Sequence, residues 1–208
     1  MRPALAIKIC GITTAADAEA CAALGADMLG LNFVPGSPRR VDVPAARAIA
    51  DSVRGRVEIV GVVADLDEQA LLDLRAAAGL DRLQLHGDEP PDLVQRLGAI
   101  AFKALRIGSD ADVAAADAYE GLILVDAKVK GALGGTGRAV DPALVAPLAR
   151  RRPVLLAGGL GPGNVADAVR VVAPWGVDVA SGVETRPGQK DVEKMRRFLD
   201  AARTAAAR

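Results

Sequence analysis

At 208 residues, 51% hydrophobic but only 2% aromatic, the chain can bury one sizeable α/β core, which it must build from Leu, Val, Ile and Ala. Basic and acidic residues balance at 26 each, which excludes a global field for nucleic acid or anionic membrane, and the scarcity of aromatics excludes base-stacking modules. No apolar run approaches the ~20 residues of a membrane span, no signal peptide is legible, and the two cysteines, Cys10 and Cys21, lack CxxC spacing, so a cytoplasmic chain with reduced thiols is expected.

The chain then alternates without a break. Short β-branched apolar runs occur at Ala6–Ile9, Met28–Val34, Glu58–Val63, Arg82–His86, Phe102–Ile107, Leu122–Asp126, Val154–Ala157 and Val177–Ala180. Each is followed by a helix-like stretch: Ala16–Leu24, Val43–Ser52, Glu68–Ala78, Pro90–Leu97, a weak one at Ala111–Ala118, Pro142–Arg150, Asn164–Val172 and Asp191–Ala206. Thr13 or Thr14 can cap the first helix. Strands joined by helical crossovers run parallel. Eight β-then-α units predict a single-domain (β/α)8 TIM barrel over residues 1–208, with a weak or missing fifth helix. A doubly wound open sheet fits less well, because Gly11 stands alone after the first strand and no GxGxxG follows it.

In such a barrel the chemistry sits at the strand C-terminal ends, where alternate residues point inward. Parity then selects Lys8 and Cys10 on strand one, Asn32 on two, Gln84 and His86 on four, Asp126 on six and Asp178 on eight. Their neighbours Ile9, Leu31, Leu85, Val125 and Val177 are apolar and pack outward beneath the helices. A ring of polar groups converging on a barrel interior is expensive to bury without a task, so it marks a site. Lys8 lies one layer below Cys10 and is expected to pair with Asp178 as structural support.

Two glycine turns, Gly158-Gly159 after strand seven and Ser181-Gly182 after strand eight, lie where barrels commonly cradle a phosphate on backbone N–H groups. A third glycine segment, Lys130–Arg138, is long for a βα loop and reads as a lid; it lacks the GxxxxGK[ST] spacing of a nucleotide loop. Arg39 and Arg40 add cationic charge at the same face. A single histidine excludes a multi-histidine metal site, and neither metal nor cofactor is expected.

Jointly these motifs resemble the phosphoribosylanthranilate isomerases. The resemblance runs through Lys8-Ile9-Cys10-Gly11-Ile12-Thr13, Ser37-Pro38-Arg39, Gln84-Leu85-His86-Gly87-Asp88-Glu89, Leu124-Val125-Asp126 and Gly134-Gly135-Thr136-Gly137. It continues through Leu156-Ala157-Gly158-Gly159-Leu160 with Asn164-Val165, and Val177-Asp178-Val179-Ala180-Ser181-Gly182-Val183-Glu184 with Gly188 and Lys190-Asp191. It implies a cofactor-free Amadori rearrangement of N-(5-phosphoribosyl)anthranilate in tryptophan biosynthesis. Cys10 would be the general base, Asp126 the general acid, Arg39 the holder of the anthranilate carboxylate and Asp178 a substrate-binding residue. Gly158, Gly159, Ser181 and Gly182 would hold the phosphate. Helix N-termini and Arg39 are expected to favour a thiolate at Cys10.

The chain departs from the family in reading Arg138-Ala139-Val140-Asp141 where an aromatic pair is usual, and Ala180 where serine is common. Rival readings are another phosphosugar barrel, such as indoleglycerol-phosphate synthase or ribulose-phosphate epimerase, and a non-catalytic barrel that binds a phosphorylated ligand. The expected partner is a small phosphoribosyl substrate, with no nucleic acid and no membrane; monomer and homodimer both remain open.

Overall fold

The strand-like runs close into one parallel eight-stranded barrel in sequence order, as expected. A computed structural model describes residues 5–127 and 142–207 of the chain. The units are β1 (Ala6–Cys10) with α1 (Ala15–Ala23), β2 (Met28–Asn32) with α2 (Val43–Ser52), β3 (Glu58–Val63) with α3 (Glu68–Ala78), and β4 (Arg82–Leu85) with α4 (Pro91–Leu97). They continue as β5 (Ala101–Ile107) with α5 (Asp110–Ala115), β6 (Ile123–Ala127) with α6 (Pro142–Arg151), β7 (Val154–Leu156) with α7 (Val165–Val172), and β8 (Gly176–Val179). β8 closes the sheet against β1, with Lys8 opposite Asp178.

Local chemistry explains the boundaries. Thr14, Asp42, Asp67 and Ser109 each accept from a backbone N–H in the first turn of the helix they precede, satisfying donors that have no partner inside the helix. Between the two candidate caps of α1 the structure selects Thr14, while the Thr13 hydroxyl donates to Gly188 O at 2.6 Å. β2 stops at Asn32 rather than Val34 because the Asn32 side chain accepts from Val34 N at 2.8 Å and turns the chain. The fifth helix is present but short, six residues continued by a 3-10 turn at Ala116–Ala118.

The last unit carries a feature that hydrophobic period does not mark. Between β8 and α8 (Val192–Ala206) the chain makes a 3-10 turn at Ser181–Val183 and an antiparallel hairpin of β9 (Glu184–Arg186) and β10 (Gln189–Lys190). Strand parity separates two apolar layers. Ile7, Ile9, Leu29, Leu31, Leu83, Leu85, Val125 and Val177 pack outward under the helices, whereas Met28, Val60, Phe102, Ala104, Leu124 and Leu155 fill the barrel interior. Each such burial of a Val, Leu, Ile, Phe or Met side chain stabilises by about 1.5–3 kcal/mol before chain entropy is counted. The interior plug ends below the upper rim, so the polar side chains stand on an apolar floor.

Candidate active site

Polar side chains from strands on opposite sides of the barrel face this floor. Cys10 ends β1 and Asp126 lies one residue from the end of β6; both share the inward parity, with Asp126 buried and Cys10 half-buried. Lys8 is fully buried, and its Nζ donates to Asp178 Oδ1 at 2.7 Å, the expected pairing. Burial opposes the charge, but Asp178 and then Cys10 together more than offset it, so the pKa stands above the ordinary lysine value and Lys8 stays charged.

Space for that arrangement comes from Gly30 on β2. A Cβ at Gly30 would lie 2.7 Å from Cys10 Sγ and 3.0 Å from Lys8 Nζ, so thiol and ammonium both occupy the volume a side chain would fill.

Burial pushes the Cys10 thiol above its ordinary pKa; Lys8 and then Lys190 pull it down, and Asp178 pushes it up. The expected lowering of the thiol pKa is thereby corrected. Loss of hydration around a thiolate between apolar strands outweighs the nearby cations.

Arg39 sits beside Cys10 with its aliphatic stem across Gly11, where a Cβ would come within 2.4 Å of Arg39 Cδ. Its guanidinium is engaged: Nε and Nη2 donate to the two carboxylate oxygens of Glu184 at 2.8 and 2.7 Å. Glu184 also accepts from Lys190 Nζ at 2.8 Å, and Lys190 Nζ donates to the backbone oxygen of Cys10 at 2.6 Å. The two cations hold the Glu184 carboxyl below the ordinary range despite its burial. The β9–β10 hairpin is in this way anchored to the end of β1 by Lys190, a residue the sequence presented only as part of a motif.

Gln84 Nε2 hydrogen-bonds His86 Nδ1 at 3.0 Å. Burial, then the charges of Arg106, Lys8 and Lys103, push the imidazole down to about 4, so the ring is neutral and Nδ1 is the acceptor. Arg106 lies opposite Asp126 in the β5–β6 register and shares its inward parity, a site-facing cation the sequence reading passed over. The same alternation that places Phe102 and Ala104 in the interior could have found it. Lys103 and Glu89 form a third buried pair, after Lys8–Asp178 and Lys190–Glu184, beneath the β4 loop.

The two glycine turns meet. Gly158 and Gly159 have φ of 88° and 63°, which favour glycine, and a Cβ at Gly182 would lie 2.0 Å from the Leu160 carbonyl oxygen. The structure therefore brings Gly158, Gly159, Ser181 and Gly182 to one side of the rim. Asn32, by contrast, spends its side-chain oxygen on its own turn. The Lys130–Arg138 segment read as a lid lies outside the described residues. No cluster of metal-ligating side chains occurs among the described residues, and no described helix is long and apolar enough to cross a membrane.

Comparison with known proteins adds a family. A sequence model described as N-(5'phosphoribosyl)anthranilate (PRA) isomerase matches residues 7–201. The N-(5'-phosphoribosyl)anthranilate isomerase of Magnetococcus marinus is 45% identical over 203 residues, covering 97% of each chain. The crystal structure of phosphoribosyl anthranilate isomerase from Thermotoga maritima superposes with a TM-score of 0.89 at 36% identity, covering 96% of this chain and 99% of that one. A further phosphoribosyl anthranilate isomerase structure, in complex with reduced 1-(o-carboxyphenylamino)-1-deoxyribulose 5-phosphate, superposes at 0.86 with 34% identity over 96% and 99% of the two chains.

Proposed function

The chain belongs to the N-(5'-phosphoribosyl)anthranilate isomerase family, isomerases of tryptophan biosynthesis, and on that premise we propose that it converts N-(5-phosphoribosyl)anthranilate to 1-(2-carboxyphenylamino)-1-deoxyribulose 5-phosphate by an Amadori rearrangement. Cys10 is the general base and Asp126 the general acid. The observation that carries this reading is the placement of a thiol and a carboxyl near the upper ends of β1 and β6, both inward, over one apolar floor. The ligand in the related complex, a reduced analogue of this product, supports the substrate class.

The chemistry divides between the two groups. Asp126 gives its proton to the furanose ring oxygen while the lone pair of the anilino nitrogen forms a C1=N bond and the C1–O bond breaks. Cys10, as thiolate, then takes the C2 proton; the C2–H electrons form C1=C2 and those of C1=N return to nitrogen. The resulting enol-amine relaxes to the ketone. Hydrogen has moved within the sugar, so the redox change balances without an outside oxidant or reductant. A positioned acid or base of this kind contributes about 10² to 10⁴-fold each.

Binding falls to the rest of the rim. The Gly158-Gly159 and Ser181-Gly182 turns hold the phosphate on backbone N–H groups; their mutual contact and the positive φ at the first pair support this. Arg39 receives the anthranilate carboxylate with guanidinium N–H groups beyond the two bonded to Glu184, since a guanidinium carries five. Asp178 contributes to sugar binding from beside Lys8.

A tryptophan auxotroph lacking this isomerase tests the reading. The chain should restore growth without tryptophan, and Cys10→Ala and Asp126→Asn should not. No rescue by the unaltered chain overturns the activity, and full rescue by either variant overturns that residue's role.

A further inference from the structure

Lys8 is buried, charged and, on the reading above, unused. Its ammonium does not lie deep beneath the reacting thiol but beside it. Lys8 Nζ and Cys10 Sγ fill the same notch over the Gly30 Cα, where the ammonium favours the thiolate and the thiolate the ammonium. The other side of the ammonium is held by Asp178 Oδ1 at 2.7 Å across the β1–β8 seam. Lys8 thus has a fixed position set by two strands and a fixed charge, with the thiol as its second neighbour.

We infer that Lys8 is a positioning residue for the proposed base: the Asp178–Lys8 pair holds an ammonium against Cys10 Sγ so that the thiol ionises inside a dry site. Lys8 takes no proton. The thiol loses its proton to solvent, and the ammonium remains as counter-ion to the sulfur. The inference rests on Cys10 being the base, and it explains how a thiol whose burial opposes ionisation can serve as one.

The charge census around the sulfur supports it. Lys8 from β1, Lys190 from the β9–β10 hairpin and Arg39 from the loop after β2 supply three cations; Asp178 from β8 and Glu184 from the hairpin supply two carboxylates. β2 offers Gly30 alone at that level. Asp126, His86 and Arg106 face the same interior from β6, the β4 loop and β5. Arg39 and Lys190 share Glu184, and Lys190 also gives itself to the Cys10 and Ala180 carbonyls. Lys8 is the cation that shares the Gly30 notch with the sulfur.

The test reads the thiol directly. The pH dependence of iodoacetamide alkylation at Cys10, resolved from buried Cys21 by peptide mass, is measured beside the pH profile of kcat/KM. Lys8→Met, an uncharged side chain of similar length, should raise the alkylation midpoint by about one pH unit or more. Lys8→Arg should restore most of it. Asp178→Asn, which removes the anion opposing ionisation, should lower the midpoint, the opposite sign from Lys8→Met. Lys8→Met/Asp178→Asn, which leaves no unpaired buried charge, guards against a misfolded single variant.

An unmoved midpoint in Lys8→Met, or a double variant whose midpoint equals that of Asp178→Asn alone, overturns the inference. If alkylation shifts but the acid limb of kcat/KM stays in place, the ammonium tunes the thiol as inferred and Cys10 is not the base.

Discussion

Lys103 Nζ donates to Glu89 Oε2 at 2.7 Å, and both side chains are almost wholly buried beneath the β4 loop. The same ammonium donates to the backbone oxygens of Leu85 and Gly87, while Glu89 Oε1 accepts from the N–H groups of Asp65 and Gly87. Two loops at the strand C-terminal ends, after β3 and after β4, are thereby tied to β5 by one ion pair. Lys103→Met strands the Glu89 carboxylate and should cost about 3–5 kcal/mol of stability. Urea unfolding checks it: the double variant Lys103→Met/Glu89→Met should recover much of the loss, and a single variant as stable as the parent would show that the pair does not matter.

Cys10→Ala and Asp126→Asn should each lower kcat by roughly 10² to 10⁴-fold. Steady-state assays with purified protein decide it, and near-normal turnover in either variant removes that residue from the chemistry.

Arg39→Ala should act mainly on KM, raising it by about tenfold or more, equivalent to ~1.4 kcal/mol of lost binding. Because Glu184 keeps Lys190 as a partner, the fold should survive. An unchanged KM and kcat would detach Arg39 from substrate.

His86 should not titrate near neutrality. Its folded pKa, near 4, lies below the free value of 6.5, so the unfolded chain binds the extra proton between those limits. Stability is therefore complete above about pH 6.5 and falls as pH drops towards 4, by roughly 3 kcal/mol at ~1.4 kcal/mol per pH unit. With one histidine in the chain, a single set of imidazole NMR signals reports it. A midpoint near 6.5 would contradict the burial seen here.

Gly182→Ala places a methyl against the Leu160 carbonyl oxygen, so the loops after β7 and β8 must separate. KM and the inhibition constant of inorganic phosphate should both rise by about tenfold. Unaltered phosphate inhibition would show that these turns do not form the anion site.

How far the sequence reached can be judged at particular residues. Period-two alternation placed Lys8, Cys10, Gln84, His86, Asp126 and Asp178 on the inner face, because side-chain direction along a strand is a local property. Carried along β5, the same rule places Arg106 there as well. The β9–β10 hairpin was out of reach, since Glu184–Lys190 carries little apolar alternation and takes its shape from tertiary anchors.

The amino-acid sequence by itself determined the eight β-then-α units, their parallel closure and the inward set of polar residues, all products of hydrophobic period and turn chemistry. Only the tertiary structure decided which charges meet. Arg39 and Glu184 stand 145 positions apart and pair because the barrel brings the loop after β2 to the hairpin after β8. It also decided the state of the thiol. Whether cations or desolvation govern Cys10 depends on how closely Lys8 and the strands enclose the sulfur, and Coulomb energy and hydration are set by those distances rather than by residue order.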